Sequence, residues 1–166
     1  VTQLGLIDDG TAGATFDPTR TYRYRLWRKW GEGKGTVCWL MLNPSTADET
    51  VLDPTLRRCK GYSRAWGYSG MEIINLYALR STDPAGLWRV DDPVGPGNDE
   101  AILEAVEACD LVVAGWGGNA KPERVEFVRG LLSGTPIFCL KTNGDGSPGH
   151  PLYLPKTLGP TLLWKA

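Results

Sequence analysis

Four apolar runs, separated by amphipathic stretches of helical period, constrain this chain more than any other feature. Thr36-Val37-Cys38-Trp39-Leu40-Met41-Leu42 is apolar on both faces, as a strand covered from both sides must be. Met71 to Leu79, Asp110 to Gly117 and Thr135 to Leu140 share that character. Between them, Asp53-Pro54-Thr55 is a helix start, with Asp53 as N-cap and Pro54 at the first helical position. That helix should run to about Trp66 and stop at Gly67. A second helix is expected from a cap at Asn98 or Asp99 to about Cys109, with Ile102, Leu103 and Val106 on one stripe. A third covers Pro122 to Leu132. Strands alternating with helices specify a mainly parallel sheet packed on both faces. The expected fold is α/β: a three-layer α/β/α sandwich around a mainly parallel four-stranded central sheet.

Upstream, Tyr22-Arg23-Tyr24-Arg25-Leu26-Trp27-Arg28 alternates large apolar and basic residues, the pattern of a strand with one wet face. The flexible Gly31-Glu32-Gly33-Lys34-Gly35 turn should join it to the next run as a hairpin, adding an antiparallel N-terminal edge strand. Residues 1–21, rich in Gly, Thr and Asp, are expected to be a loosely ordered N-terminal arm, and 22–166 a single α/β domain. Residues 81–97 contain Pro84, Pro93 and Pro96 and are expected to be one long loop.

A chain of 166 residues can bury a core without disulfides or metals. Its four cysteines show no short spacing, so neither a zinc site nor an iron–sulfur cluster is indicated, and no cofactor is expected. No apolar run reaches the roughly 20 residues of a membrane span, and the N-terminus lacks a signal-peptide pattern, so a cytoplasmic protein without membrane contact is expected. A net charge of −1 argues against nonspecific coating of nucleic acid, which is mainly phosphate neutralisation. Basic residues nevertheless cluster at Arg20, Arg23, Arg25, Arg28 and Lys29, and at Arg57, Arg58, Lys60 and Arg64. These are either solvated faces or phosphate contacts. Seven tryptophans and six tyrosines serve either the core or base stacking.

Two polar loops follow buried strands: Leu42-Asn43-Pro44-Ser45-Thr46-Ala47-Asp48 and Gly149-His150-Pro151-Leu152-Tyr153-Leu154. The carboxyl ends of parallel strands open into a ligand crevice, so both loops should face one site. Asn43, held rigid by the following proline, can orient a water or a substrate amide but cannot act as a charged base; the alternative is an Asn capping its own turn. Asp48 and Asp53 are the nearest carboxylates, with Asp53 also explained as a helix cap. Asn75 interrupts a buried strand, where an unpaired amide costs roughly 1–3 kcal/mol. Either a nucleobase edge or a neighbouring loop carbonyl should satisfy it. His150, the only histidine, can donate to an anion developing near neutral pH. Trp116-Gly117 offers either a backbone wall for a ligand or ordinary core.

The order of these motifs resembles the DUF1643 family: Leu42 to Asp48, Asp53-Pro54-Thr55, Asn75-Leu76-Tyr77-Ala78-Leu79-Arg80, Pro93-Val94-Gly95, Trp116-Gly117 and His150 to Leu154, across about residues 22 to 155. At greater distance it is similar to the uracil-DNA glycosylase superfamily. That resemblance implies a glycosylase-like fold, with Asn43 directing water, Asn75 reading the base and His150 supporting the departing base. Ser45 replaces the aromatic residue many of those glycosylases place beside the base, and Leu152-Tyr153-Leu154 lacks their Ser-Pro pair and DNA-wedging leucine.

The expected function is a nucleobase-recognising N-glycosidic hydrolase acting on a damaged or modified base, in single-stranded or modified DNA or in a nucleotide. The alternatives are a non-catalytic base-binding module and a free-nucleotide enzyme with arginines on phosphate, although no glycine-rich phosphate loop is present. The expected catalytic residues are Asn43, His150 and Asp48. Substrate contacts are expected from Leu42, Pro44, Ser45, Asn75, Tyr77, Arg80, Trp116 and Gly117, and phosphate contacts from Arg57, Arg58 and Lys141.

Overall fold

The computed structural model describes residues 3–4, 11–46 and 50–166. In chain order the elements are β1 (Gln3–Leu4), β2 (Ala12–Phe16), β3 (Arg23–Lys29), β4 (Thr36–Met41), α1 (Pro54–Ala65), β5 (Gly70–Asn75), α2 (Asn98–Ala108), β6 (Leu111–Ala114), α3 (Pro122–Leu131), β7 (Ile137–Cys139) and β8 (Thr161–Trp164). Short 3-10 helices occupy Pro84–Arg89 and Pro151–Tyr153.

These strands form one sheet in the order β1-β2-β3-β5-β4-β6-β7-β8. Its centre, β5-β4-β6-β7, is parallel, as the alternation of strands and helices requires. The sheet is larger than four strands, because β1 to β3 extend one side and β8 the other, all in antiparallel pairing.

The expected hairpin does not form. β3 pairs with β5, setting Leu26 opposite Ile73, and β4 lies beyond it between β5 and β6. A strand apolar on both faces is best buried with a neighbour on each side. The glycine-rich link is long enough to let β5 enter, and Trp30 and Ser69 join their backbones across the gap, N–H to carbonyl, at 2.9 Å. The expected loose arm is corrected over residues 12–16, which form β2 and bury Ala14 and Phe16 completely. Residues 1–2 and 5–10 of that arm lie outside the described residues.

Each sheet face carries its own core. On one, Leu56, Cys59 and Tyr62 of α1 pack on Val37, Trp39, Met71 and Ile73. On the other, Ile102, Ala105 and Val106 of α2 and Val128 of α3 pack on Leu40, Ile74, Val112 and Ala114. Helices thus cover both faces, giving three layers. Asp53 caps α1 by accepting the Leu56 N–H at 2.8 Å. Trp39 stacks on Trp66 at 5.7 Å between centroids and donates its indole N–H to Ser63 Oγ, so this ring serves the core. Trp116 and Trp164 are buried as well. Helix α2 departs from expectation at its start: Gly97 is the N-cap, and Asn98 turns inward. Among the described residues no helix is long and apolar enough to cross a membrane.

Candidate functional site

Strand order fixes where a ligand can sit. From β4 the chain crosses one face through α1, and from the neighbouring β6 it crosses the other through α3. Connections leaving adjacent strands toward opposite faces open a crevice at their carboxyl ends. A cavity of about 650 Å³ lies at this point. Its walls are Met41 to Ser45 after β4, Ile73 and Asn75 of β5, Trp116 to Asn119 after β6, and Asn143 with Gly149 and His150 after β7. Asp53, Thr55 and Leu56 at the start of α1 and Leu152 to Leu154 complete the enclosure.

Two glycines let the walls meet. A Cβ on Gly115 would lie 3.0 Å from Pro151 Cδ and 3.1 Å from Met41 Sδ, so only glycine permits this approach without displacement. Gly117 holds φ at 77° and donates its N–H to the Pro148 carbonyl at 2.9 Å, binding the loop after β6 to the loop after β7.

Asn43 lies in the wall as expected, but most of its amide is engaged. Its Nδ2 donates to Ser81 O at 2.8 Å and Pro44 O at 3.0 Å, with Leu79 O at 3.4 Å. The reverse assignment would press Oδ1 against three carbonyls, so the network fixes the orientation. Asn43 therefore braces its loop against residues 79–81 and presents only an acceptor, Oδ1.

Asn75 differs. It is 4% exposed and lines the cavity, yet among the described residues no hydrogen bond reaches its side-chain amide. Its backbone, by contrast, is locked. Nδ2 of the fully buried Asn98 donates to Asn75 O at 2.9 Å and Leu76 O at 3.1 Å. Arg124 adds Nε to Leu76 O at 2.9 Å while its Nη2 pairs with Asp99 at 2.7 Å. Among the described residues no neighbouring loop carbonyl accepts from the Asn75 amide. Both donor and acceptor of that amide remain available to a ligand.

His150 caps the short 3-10 helix, its Nδ1 accepting the Leu152 N–H at 3.2 Å. A neutral ring must then carry its proton on Nε2. Burial holds the imidazole below its ordinary range, opposed only by the Asp53 carboxylate. At neutral pH His150 is accordingly an uncharged hydrogen-bond donor. The Tyr153 ring lies 5.3 Å from it at the cavity mouth.

The cavity brings together Leu42, Asn43, Pro44, Ser45, Asn75, Trp116, Gly117 and His150 from the expected set. Asp48 falls outside the described residues. The structure takes the others elsewhere. Tyr77 accepts the Lys121 N–H at 3.1 Å and meets Trp88 edge-on, lining a separate depression. Arg80 donates to Arg20 O and Thr46 O. Arg57 donates to Leu52 O at 2.6 Å and Arg58 to Leu154 O at 2.8 Å. Lys141 is exposed and outside the lining. Among the described residues no cluster of three or more His, Cys, Asp or Glu could hold a metal.

Arg23, Asn119 and Asn143 also line the cavity and are not among the residues expected there. Alternation put Arg23 on a wet face, but it is 5% exposed. A register shift at Thr15/Phe16, where Phe16 pairs with Arg23, breaks the alternation there.

No curated protein and no solved structure matches the chain. The family model of DUF1643, described as a protein of unknown function, matches residues 23–152, from the first residue of β3 to the turn beyond His150, and the chain belongs to that family.

Proposed function

We propose that the cavity binds a nucleobase and that the protein hydrolyses the N-glycosidic bond holding it. The observation that carries this reading is the Asn75 amide: buried, backbone-locked, without a hydrogen-bond partner among the described residues and opening into the cavity. An amide's adjacent acceptor and donor complement the adjacent N–H and carbonyl of a base edge. Because the amide opens into the cavity, a ligand with that edge supplies the donor and acceptor pair it does not use among the described residues. The distant resemblance to uracil-DNA glycosylases points the same way.

In this reading the bond between the base nitrogen and the sugar carbon lengthens, and its electron pair leaves with the base. His150 Nε2–H donates to the charge gathering there, as a neutral donor that needs no proton transfer. Donors placed where charge develops supply several kcal/mol of barrier lowering. Asn43 Oδ1 holds a water through one of its protons, the water oxygen adds to the sugar carbon, and the released proton passes to the departing base or to solvent. Because Nδ2 is tied to the 79–81 backbone, Asn43 orients without contacting the base.

A second reading is favoured by the same tie. If bracing the loop is all that Asn43 does, the protein is a base-binding module without hydrolysis. Incubating the protein with nucleosides, nucleotides and oligonucleotides carrying varied modified bases, and detecting free base by mass spectrometry, separates the two. Release that disappears in Asn75→Ala and falls steeply in His150→Asn supports the hydrolase. Binding without release across the panel supports the module.

A further inference from the structure

We infer that the cavity takes a single nucleoside unit, free or as its monophosphate, and is not part of a groove for a nucleic-acid strand. This rests on the base-binding reading above and narrows its substrate class.

The first ground is what the cations do. A strand is held by a row of Lys and Arg side chains along its phosphates. The arginines nearest in sequence to the cavity loops are turned to the protein's own backbone: Arg57 to Leu52 O, Arg58 to Leu154 O, and Arg80 to Arg20 O and Thr46 O. Arg25 pairs with Glu72 and Glu104, and Arg124 with Asp99. These groups brace loops and helices, and the chain as a whole carries a net charge of −1. Among the described residues Arg23 is the cation of the cavity wall, and one cation is not the row that a strand's phosphates require.

The second ground is the remaining lining. Ser45, Thr55, Thr82, Asn119 and Asn143 are neutral hydroxyls and amides. That chemistry matches sugar hydroxyls, which a free nucleoside offers and a strand replaces in part with phosphodiesters. The third is size. About 650 Å³ lies within the roughly 300–1,000 Å³ range of sites that enclose a whole small molecule. An extruded base alone would leave much of it empty.

Isothermal titration of the full chain with a panel of nucleosides and 5′-monophosphates, and with short single strands carrying the same bases, tests the inference at about 50 and 200 mM salt. For the tightest base, the single unit should bind as well as the strand, within about threefold. Its affinity should change by less than about threefold between the two salts, because no more than one phosphate is neutralised. Arg57→Ala should leave both affinities unchanged, and Asn75→Ala should lose at least about tenfold for both. A strand that binds more than about tenfold tighter, with affinity falling roughly 18-fold over the same salt range as three or more contacts require, overturns the inference. If Asn75→Ala still abolishes that strand binding, the base-binding reading survives. If neither unit nor strand binds, or if Asn75→Ala binds like the parent, both fall.

Discussion

Asn43 and Asn75 are the same residue at the carboxyl ends of neighbouring parallel strands, and the fold uses them in opposite ways. Asn43 follows β4 where the chain turns away, and three carbonyls of residues 79–81 and 44 crowd its amide nitrogen. Asn75 ends β5 with its backbone carbonyl held by Asn98, and among the described residues no hydrogen bond reaches its side chain. Chemistry at the two positions is identical. Which one is a brace and which one a reader is decided by where the neighbouring carbonyls point.

Exchanging the roles by mutation should separate stability from binding. The largest effect is expected from the support behind the reader. Asn98→Leu removes the donor shared by Asn75 O and Leu76 O and should lower unfolding free energy by about 2–3 kcal/mol in urea titrations. Part of the loss is offset because Asn98 Oδ1 is itself buried without a partner. Asn43→Ala should cost about 1–2 kcal/mol by the same measurement, since Ser81 O and Pro44 O lose their donor. Asn75→Ala should stay within about 0.5 kcal/mol of the parent in stability, because among the described residues its side chain makes no hydrogen bond, while nucleoside affinity drops at least about tenfold. Equal stability losses for Asn43→Ala and Asn75→Ala would erase the distinction.

A smaller effect comes from pH. Burial holds His150 below its ordinary value of 6.5, so the unfolded chain takes up its proton first as the pH falls. The stability it contributes is full above about pH 6.5 and is lost as the pH drops toward the lower folded-state value. His150→Asn retains an acceptor for the Leu152 N–H but removes the titration. Its unfolding free energy should therefore fall less steeply than the parent's between about pH 7 and 5. The smallest effect is Arg57→Ala, expected to alter stability by no more than about 0.5 kcal/mol at its exposed position.

The contrast between brace and reader also marks how far the sequence can be read. Strands β4 to β7 and the three helices were legible because their periodicity and caps act locally, as at Asp53. Asn43, Asn75, His150 and Trp116-Gly117 were legible as polar or glycine residues placed where buried strands end. Strands β2 and β8 were not. Ala12-Gly13-Ala14-Thr15-Phe16 and Thr161-Leu162-Leu163-Trp164 are short, with no sustained alternation, and are ordered by the neighbours they pair with. The destinations of Arg57, Arg58 and Arg80 were hidden for a related reason. Their partners are main-chain carbonyls, which carry no sequence identity and are positioned only by the finished fold. In the fold, arginines of the basic cluster that suggested phosphate contacts hydrogen-bond main-chain carbonyls.

The distinction between the two asparagines is open to direct observation by the side-chain amide resonances in ¹⁵N-correlated NMR spectra, assigned through Asn43→Ala and Asn75→Ala, during titration with the tightest-binding nucleoside. The Asn75 amide pair should shift and its protons become protected while the Asn43 pair stays in place. Movement of the Asn43 pair with the Asn75 pair unchanged would contradict the distinction.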